Sequence, residues 1–127
     1  MRPRFCEVPH NPPFSYGDCI RACIATMIDR DDVPHVFDDG NARAAWGCMR
    51  SYLALHGKFI ALFAIDHSHA ELMSGENNGV PYLLLGGTET GDHAVVCLNG
   101  EVIHNPDVNS VITKPHSQGF YVVGIIG

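Results

Sequence analysis

A chain of 127 residues that is 46% hydrophobic and 17% charged has the composition of one folded domain rather than of a disordered segment. Its formal charge of −6, with only eight Lys and Arg, argues against a broad basic surface for nucleic acid. No apolar run approaches the roughly 20 residues needed to span a bilayer, and the opening Met-Arg-Pro-Arg-Phe-Cys lacks the apolar centre of a signal peptide. We therefore expect a single cytoplasmic domain over residues 1–127 with no nucleic-acid or membrane partner.

Residues 1–15 carry Pro3, Pro9, Pro12 and Pro13, which favour an extended lead-in lying near the start of the first helix. That helix is expected within the stretch Tyr16–Asp29. Gly17 and Asp18 read as a turn and cap, and Ile20, Cys23, Ile24, Met27 and Ile28 supply the apolar positions. Cys19 then opens the helix, where unpaired backbone N–H groups and the positive end of the helix dipole favour a thiolate. Cys19 is thus the candidate nucleophile. The other cysteines (Cys6, Cys23, Cys48 and Cys97) lack such a context and read as free, mostly buried thiols, because five cysteines without regular spacing make no secreted disulfide framework.

A polar connection with solvated acidic residues follows, from Asp29 to Gly40. Asn41 then caps a second helix, about Ala42–His56, with Ala45, Trp46, Met49, Tyr52, Leu53 and Leu55 as its apolar stripe and Gly57 as its end. Phe59–Ile65 reads as a buried strand, and Asp66–Gly79 as a connection with room for a short helix over His69–Ser74. Val80–Leu85, His93–Leu98, Glu101–His104 and Phe120–Ile126 are four more strand-like runs, and the glycine-rich loop Gly86–Gly91 reads as a hairpin connection or a lid. Helices first and strands afterwards predict an α+β domain with the helices packed on an antiparallel sheet.

Asn99-Gly100 is a strong two-residue hairpin turn. An unbroken register from it sets Val96 across from Ile103 and Ala94 across from Asn105, so that His93 and Asn105 fall on opposite faces. Only a bulge or a strand-ending twist near Asn105-Pro106 would bring them together. Chemically, however, thiol-based acyl transfer needs a cysteine at a helix start, a histidine to take and return its proton, and an amide or carboxylate to orient the imidazole.

Gly17-Asp18-Cys19 at a helix start, Asp92-His93-Ala94-Val95-Val96 on a strand, and Val102-Ile103-His104-Asn105-Pro106 one strand later resemble the papain-like cysteine peptidase superfamily. The pattern is most similar to the bacteriocin-leader peptidases and small related proteins of bacteria and their phages. The resemblance implies a papain-like fold, no cofactor or metal, a peptide or protein substrate, Cys19 as nucleophile, His93 as general base and acid, and Asn105 as the orienting residue. It departs at Asn105, where those peptidases carry Asp, and at Pro13, where they carry a Gln that helps bind the oxyanion. Asn11 or Ser15 are the candidate substitutes for that Gln, and Asp107 is the second candidate to orient His93. Two other readings stand beside this one. A metal site could use Cys19 and Cys23, one helical turn apart, or His67 and His69, although neither pair completes a zinc pattern. A non-catalytic module could use the same groove to hold a peptide or small ligand.

Overall fold

A computed structural model describes residues 2–8, 10–11, 15–37, 41–65, 80–88, 92–98, 100–107, 112 and 120–127. A two-stranded hairpin of β1 (His10–Asn11) and β2 (Ser15–Tyr16) comes first, where the prolines predict only an extended lead-in. Helices α1 (Cys19–Ile28) and α2 (Ala42–Leu55) follow. The rest is β3 (Phe59–Ile65), β4 (Tyr82–Gly87), β5 (Asp92–Leu98), β6 (Glu101–His104) and β7 (Phe120–Ile126), which form one antiparallel sheet in the order β3-β7-β4-β5-β6. The expected α+β class is therefore found. The last strand lies between β3 and β4, an insertion that run-by-run reading of strands does not reveal. The proposed helix around His69–Ser74 lies outside the described residues, as do residues 89–91 of the Gly86–Gly91 stretch, while its Gly86 and Gly87 belong to β4 rather than to a loop.

Alternation along the central strands explains why they read as continuous apolar runs: both faces are covered. Leu83, Ala94, Val96 and Val123 face Cys23, Ile24 and Ala25 of α1 and Met49 and Leu53 of α2 in one buried cluster. Tyr82, Leu84, Val95 and Cys97 form a second cluster on the other face. The second helix behaves as its sequence predicts: the Asn41 side chain accepts the Ala44 N–H at 3.2 Å, and the chain leaves at Gly57 with φ of 69°, which glycine adopts without strain.

The start of α1 is built differently from the expectation. Asp18 occupies the N-cap position, but its carboxylate makes no capping bond to the helix. It is 1% exposed and turns instead toward the lead-in, accepting the Glu7 and Val8 N–H groups at 3.0 Å and the Arg21 Nε–H at 2.8 Å. Arg21, itself 3% exposed on the otherwise apolar helix, also donates to the Phe5 carbonyl. Residues 2–8 thus form a strap running antiparallel to α1. Its far end is held by Arg4, whose N–H donates to Thr26 Oγ1 and whose guanidinium pairs with Asp29 and Asp31, so the acidic stretch after α1 is engaged with arginines rather than only solvated. On its other side the strap meets the end of β6: Cys6 N–H donates to the Pro106 carbonyl at 3.0 Å, His104 Nε2 donates to the Arg4 carbonyl, and Phe5 stacks edge-on against His104.

A buried charge whose partner is deleted costs far more than a surface one. Asp18→Ala, which strands Arg21 and two strap N–H groups, is expected to lower unfolding free energy by about 3–5 kcal/mol in urea titration; a loss below about 1 kcal/mol, the scale of a surface pair, would show that the strap does not depend on this carboxylate.

Candidate active site

Cys19 is the first residue of α1, as its sequence context predicts, and it is half-buried against the helix-side core. Backbone N–H groups of Ala94 on β5, of Ile20 and of Cys19 itself at the helix start lie around its sulfur and favour the charged form. Ala94 is the residue after His93, and packing of α1 on β5 brings the helix start to this part of the strand. These N–H groups favour the thiolate, yet burial outweighs them, and with the neighbouring Asp18 charge it pushes the thiol from its ordinary 9.0 up to about 11. The thiolate that the helix start predicts is therefore not the resting form at neutral pH. Helix-end dipoles and N–H groups act against a desolvation cost that the sequence does not display.

His93 sits near the start of β5, 3% exposed. Burial lowers its imidazole below the ordinary 6.5, opposed by the hydrogen bond to Asn105 and the charge of Asp107. Its Nε2 lies 2.7 Å from Asn105 Oδ1. That oxygen also accepts the Asp107 N–H at 3.2 Å, which identifies it as the amide's acceptor end. The His93 nitrogen facing it must then donate, so the neutral ring carries its proton on Nε2 and keeps a free lone pair on Nδ1. Of the two candidates for orienting His93, Asn105 makes the direct bond, and Asp107 acts through its backbone N–H and its charge.

A β-bulge makes the His93–Asn105 contact. The β5–β6 ladder begins as the turn dictates, with Leu98 opposite Glu101 and Cys97 opposite Val102, and then shifts: Val96 pairs with His104 rather than Ile103. Ile103 is the extra residue. Carrying the shifted register onward sets Asn105 across from Val95, two residues from His93 and hence on His93's face. The unbroken register, which separates the two, is thus replaced by the alternative that unites them.

No protein-family model, curated protein or solved structure matches this chain.

Several residues of this region carry no sequence signal of their role. Cys6, half-buried, is brought to the site by the strap, and its contact with the Pro106 carbonyl is long-range. Arg21 could have been noticed as a charge among apolar helix positions. The metal reading loses its cysteines: Cys23 is fully buried in the core, and His67 and His69 lie outside the described residues. Among the described residues, the one group of three ligand-type side chains is Glu7, Asp18 and His35. There the Arg21 guanidinium already sits on Asp18, and His35 Nε2 faces Glu7 at 3.1 Å, so the carboxylates are engaged with the protein's own cations and donors. Asn11 and Ser15 pair across the β1–β2 hairpin just before α1, and Pro13 lies outside the described residues. No helix among the described residues is long and apolar enough to cross a membrane.

Because burial raises the Cys19 thiol and lowers the His93 imidazole, both groups rest neutral. Alkylation of Cys19 by iodoacetamide is expected to accelerate steadily as pH rises through neutrality, levelling only as the thiol's value of about 11 is approached. A plateau already reached at acid pH would reveal a thiolate–imidazolium pair instead.

Proposed function

We propose that this chain is a papain-like, thiol-dependent hydrolase or acyl transferase that acts on a peptide, isopeptide or related amide bond through Cys19, His93 and Asn105. The observation that carries the reading is the His93–Asn105 bond, in which an acceptor amide oxygen at 2.7 Å commits Nε2 as donor and leaves Nδ1 as the base. Proximity of the Cys19 sulfur to the N–H of the next residue, Ala94, supports the same assignment.

The proposed reaction starts from the neutral pair. His93 Nδ1 takes the thiol proton as the Cys19 sulfur attacks the carbonyl carbon, and the imidazolium that forms is held by Asn105 and by the charge of Asp107. The proton passes to the departing amine, leaving a thioester on Cys19. Water, or an amine in acyl transfer, then attacks with His93 again as base. A proton-sharing pair that starts neutral avoids holding two opposite charges in a site that desolvates both. The Cys19 N–H at the helix start is one donor for the oxyanion. Loss of one such donor costs about 2.7–4 kcal/mol of transition-state stabilisation, so a site without the Gln of the resembling peptidases is expected to turn over slowly.

The raised thiol favours a second reading, a binding module that uses the same groove without turnover. Reactivity separates the two. An acyl-trapping electrophile is expected to modify Cys19 ahead of the exposed Cys48. Labelling should be abolished by Cys19→Ala and slowed about 10²–10⁴-fold by His93→Ala, the range typical of general-base catalysis. Mass spectrometry of the modified chain reads the site, and uniform slow labelling of all five cysteines would refute the catalytic reading.

A further inference from the structure

Cys6 has no part in the proposed reaction, yet the strap delivers it to the nucleophile. The Glu7 N–H bonds the Asp18 carboxylate at 3.0 Å, with Cys6 just before Glu7 and Cys19 just after Asp18, and the Val8 N–H bonds the same oxygen. On the other side, Cys6 N–H is tied to the Pro106 carbonyl, next to Asn105. Cys6 is thereby fixed between the start of α1 and the end of β6. Both thiols are free and half-buried, whereas Cys23 and Cys97 are shut in the core and Cys48 is exposed on α2. The two sulfurs are also close enough to act on one another electrically: after burial, a charge on Cys19 is the largest influence raising Cys6.

We infer that Cys6 is a resolving thiol for Cys19, so that a hydroperoxide converts the pair into an intramolecular disulfide that removes the nucleophile and staples the strap to the helix start. In the first step the Cys19 thiol gives its proton to His93, and its sulfur attacks one peroxide oxygen. The O–O bond breaks, Cys19 becomes a sulfenic acid, and the released hydroxide recovers the proton from His93 as water. In the second step the Cys6 sulfur attacks the Cys19 sulfur, the S–O bond breaks, and the hydroxyl leaves as water with the Cys6 proton. Two thiols and one hydrogen peroxide give one disulfide and two waters. The first step is slow at neutral pH because burial keeps Cys19 protonated, with the thiol at about 11, and it accelerates with rising pH. The second is intramolecular and gains from the preset position of Cys6.

Tryptic cleavage after Arg4 and Arg21 leaves both residues in one peptide, Phe5 to Arg21. After treatment of the full chain with hydrogen peroxide, that peptide is expected to lose two hydrogen atoms and to regain them with dithiothreitol. Cys6→Ser should abolish the loss and let Cys19 proceed to sulfinic acid, which dithiothreitol does not reverse. Sulfinic acid on Cys19 in the unaltered chain with Cys6 still a thiol, a bond from Cys19 to Cys23, or two intact thiols after oxidation would each overturn the inference. The inference concerns the proposed nucleophile, but the mapping reads the bond itself, so a chain with no hydrolase activity can still pass and an active one can still fail.

Discussion

One inserted residue in one strand sets the relation between His93 and Asn105. Without the shift at Val96 and Cys97, alternation would put Asn105 on the side of the sheet away from His93, and the imidazole would have no partner for Nε2 from this strand. With it, a 2.7 Å bond fixes both the ring's orientation and its tautomer. The remaining parts are placed around that bond. Asp107 N–H holds the amide oxygen in its acceptor role, and the Pro106 carbonyl, between them, takes the Cys6 N–H and so anchors the strap. Pro106 has no N–H to extend the ladder, which suits a point where the strand ends and its backbone begins to serve the site.

Electrostatics at the helix start follow from the same arrangement. Asp18 would ordinarily cap α1, but its carboxylate, buried at 1% exposure, instead collects the strap N–H groups and Arg21. This binds the strap to the helix and also puts a negative charge beside Cys19, which adds to burial in disfavouring the thiolate. Three N–H groups pull the other way and do not prevail. The balance explains why a cysteine at a helix start, which by dipole arguments alone should be acidic, rests as a thiol.

Much of the scaffold was legible in the sequence, because the signals were local. Periodicity and caps place α2 within a residue, the Leu98–Glu101 pairing read from the hairpin signal is found, and Phe59–Ile65, Glu101–His104 and Phe120–Ile126 are strands as read. The position of Cys19 at the start of α1 was legible too, whereas the spacing around the turn set Asn105 on the face away from His93 and only the family resemblance named it. What was hidden depends on long-range contacts. The bulge arises in the packed sheet, and no glycine marks it: Val96, Cys97, Val102 and Ile103 are ordinary strand residues. The side chain of Asp18 chose partners eleven residues upstream over the nearest helix N–H groups. The β1–β2 hairpin formed where four prolines argued for an irregular lead-in, and Cys6 is placed by long-range contacts, its own N–H to Pro106 one hundred residues away and the next N–H, of Glu7, to Asp18.

In the proposed reaction Asn105 commits His93 to carry its proton on Nε2 and leaves Nδ1 to serve as the base for Cys19. Nitrogen-15 NMR of the His93 ring at neutral pH tests it most directly. A neutral imidazole with a protonated Nε2 and an unprotonated Nδ1 is expected, with a loss of that bias in Asn105→Ala. A ring protonated on Nδ1, or a tautomer unchanged when Asn105 is removed, would contradict it.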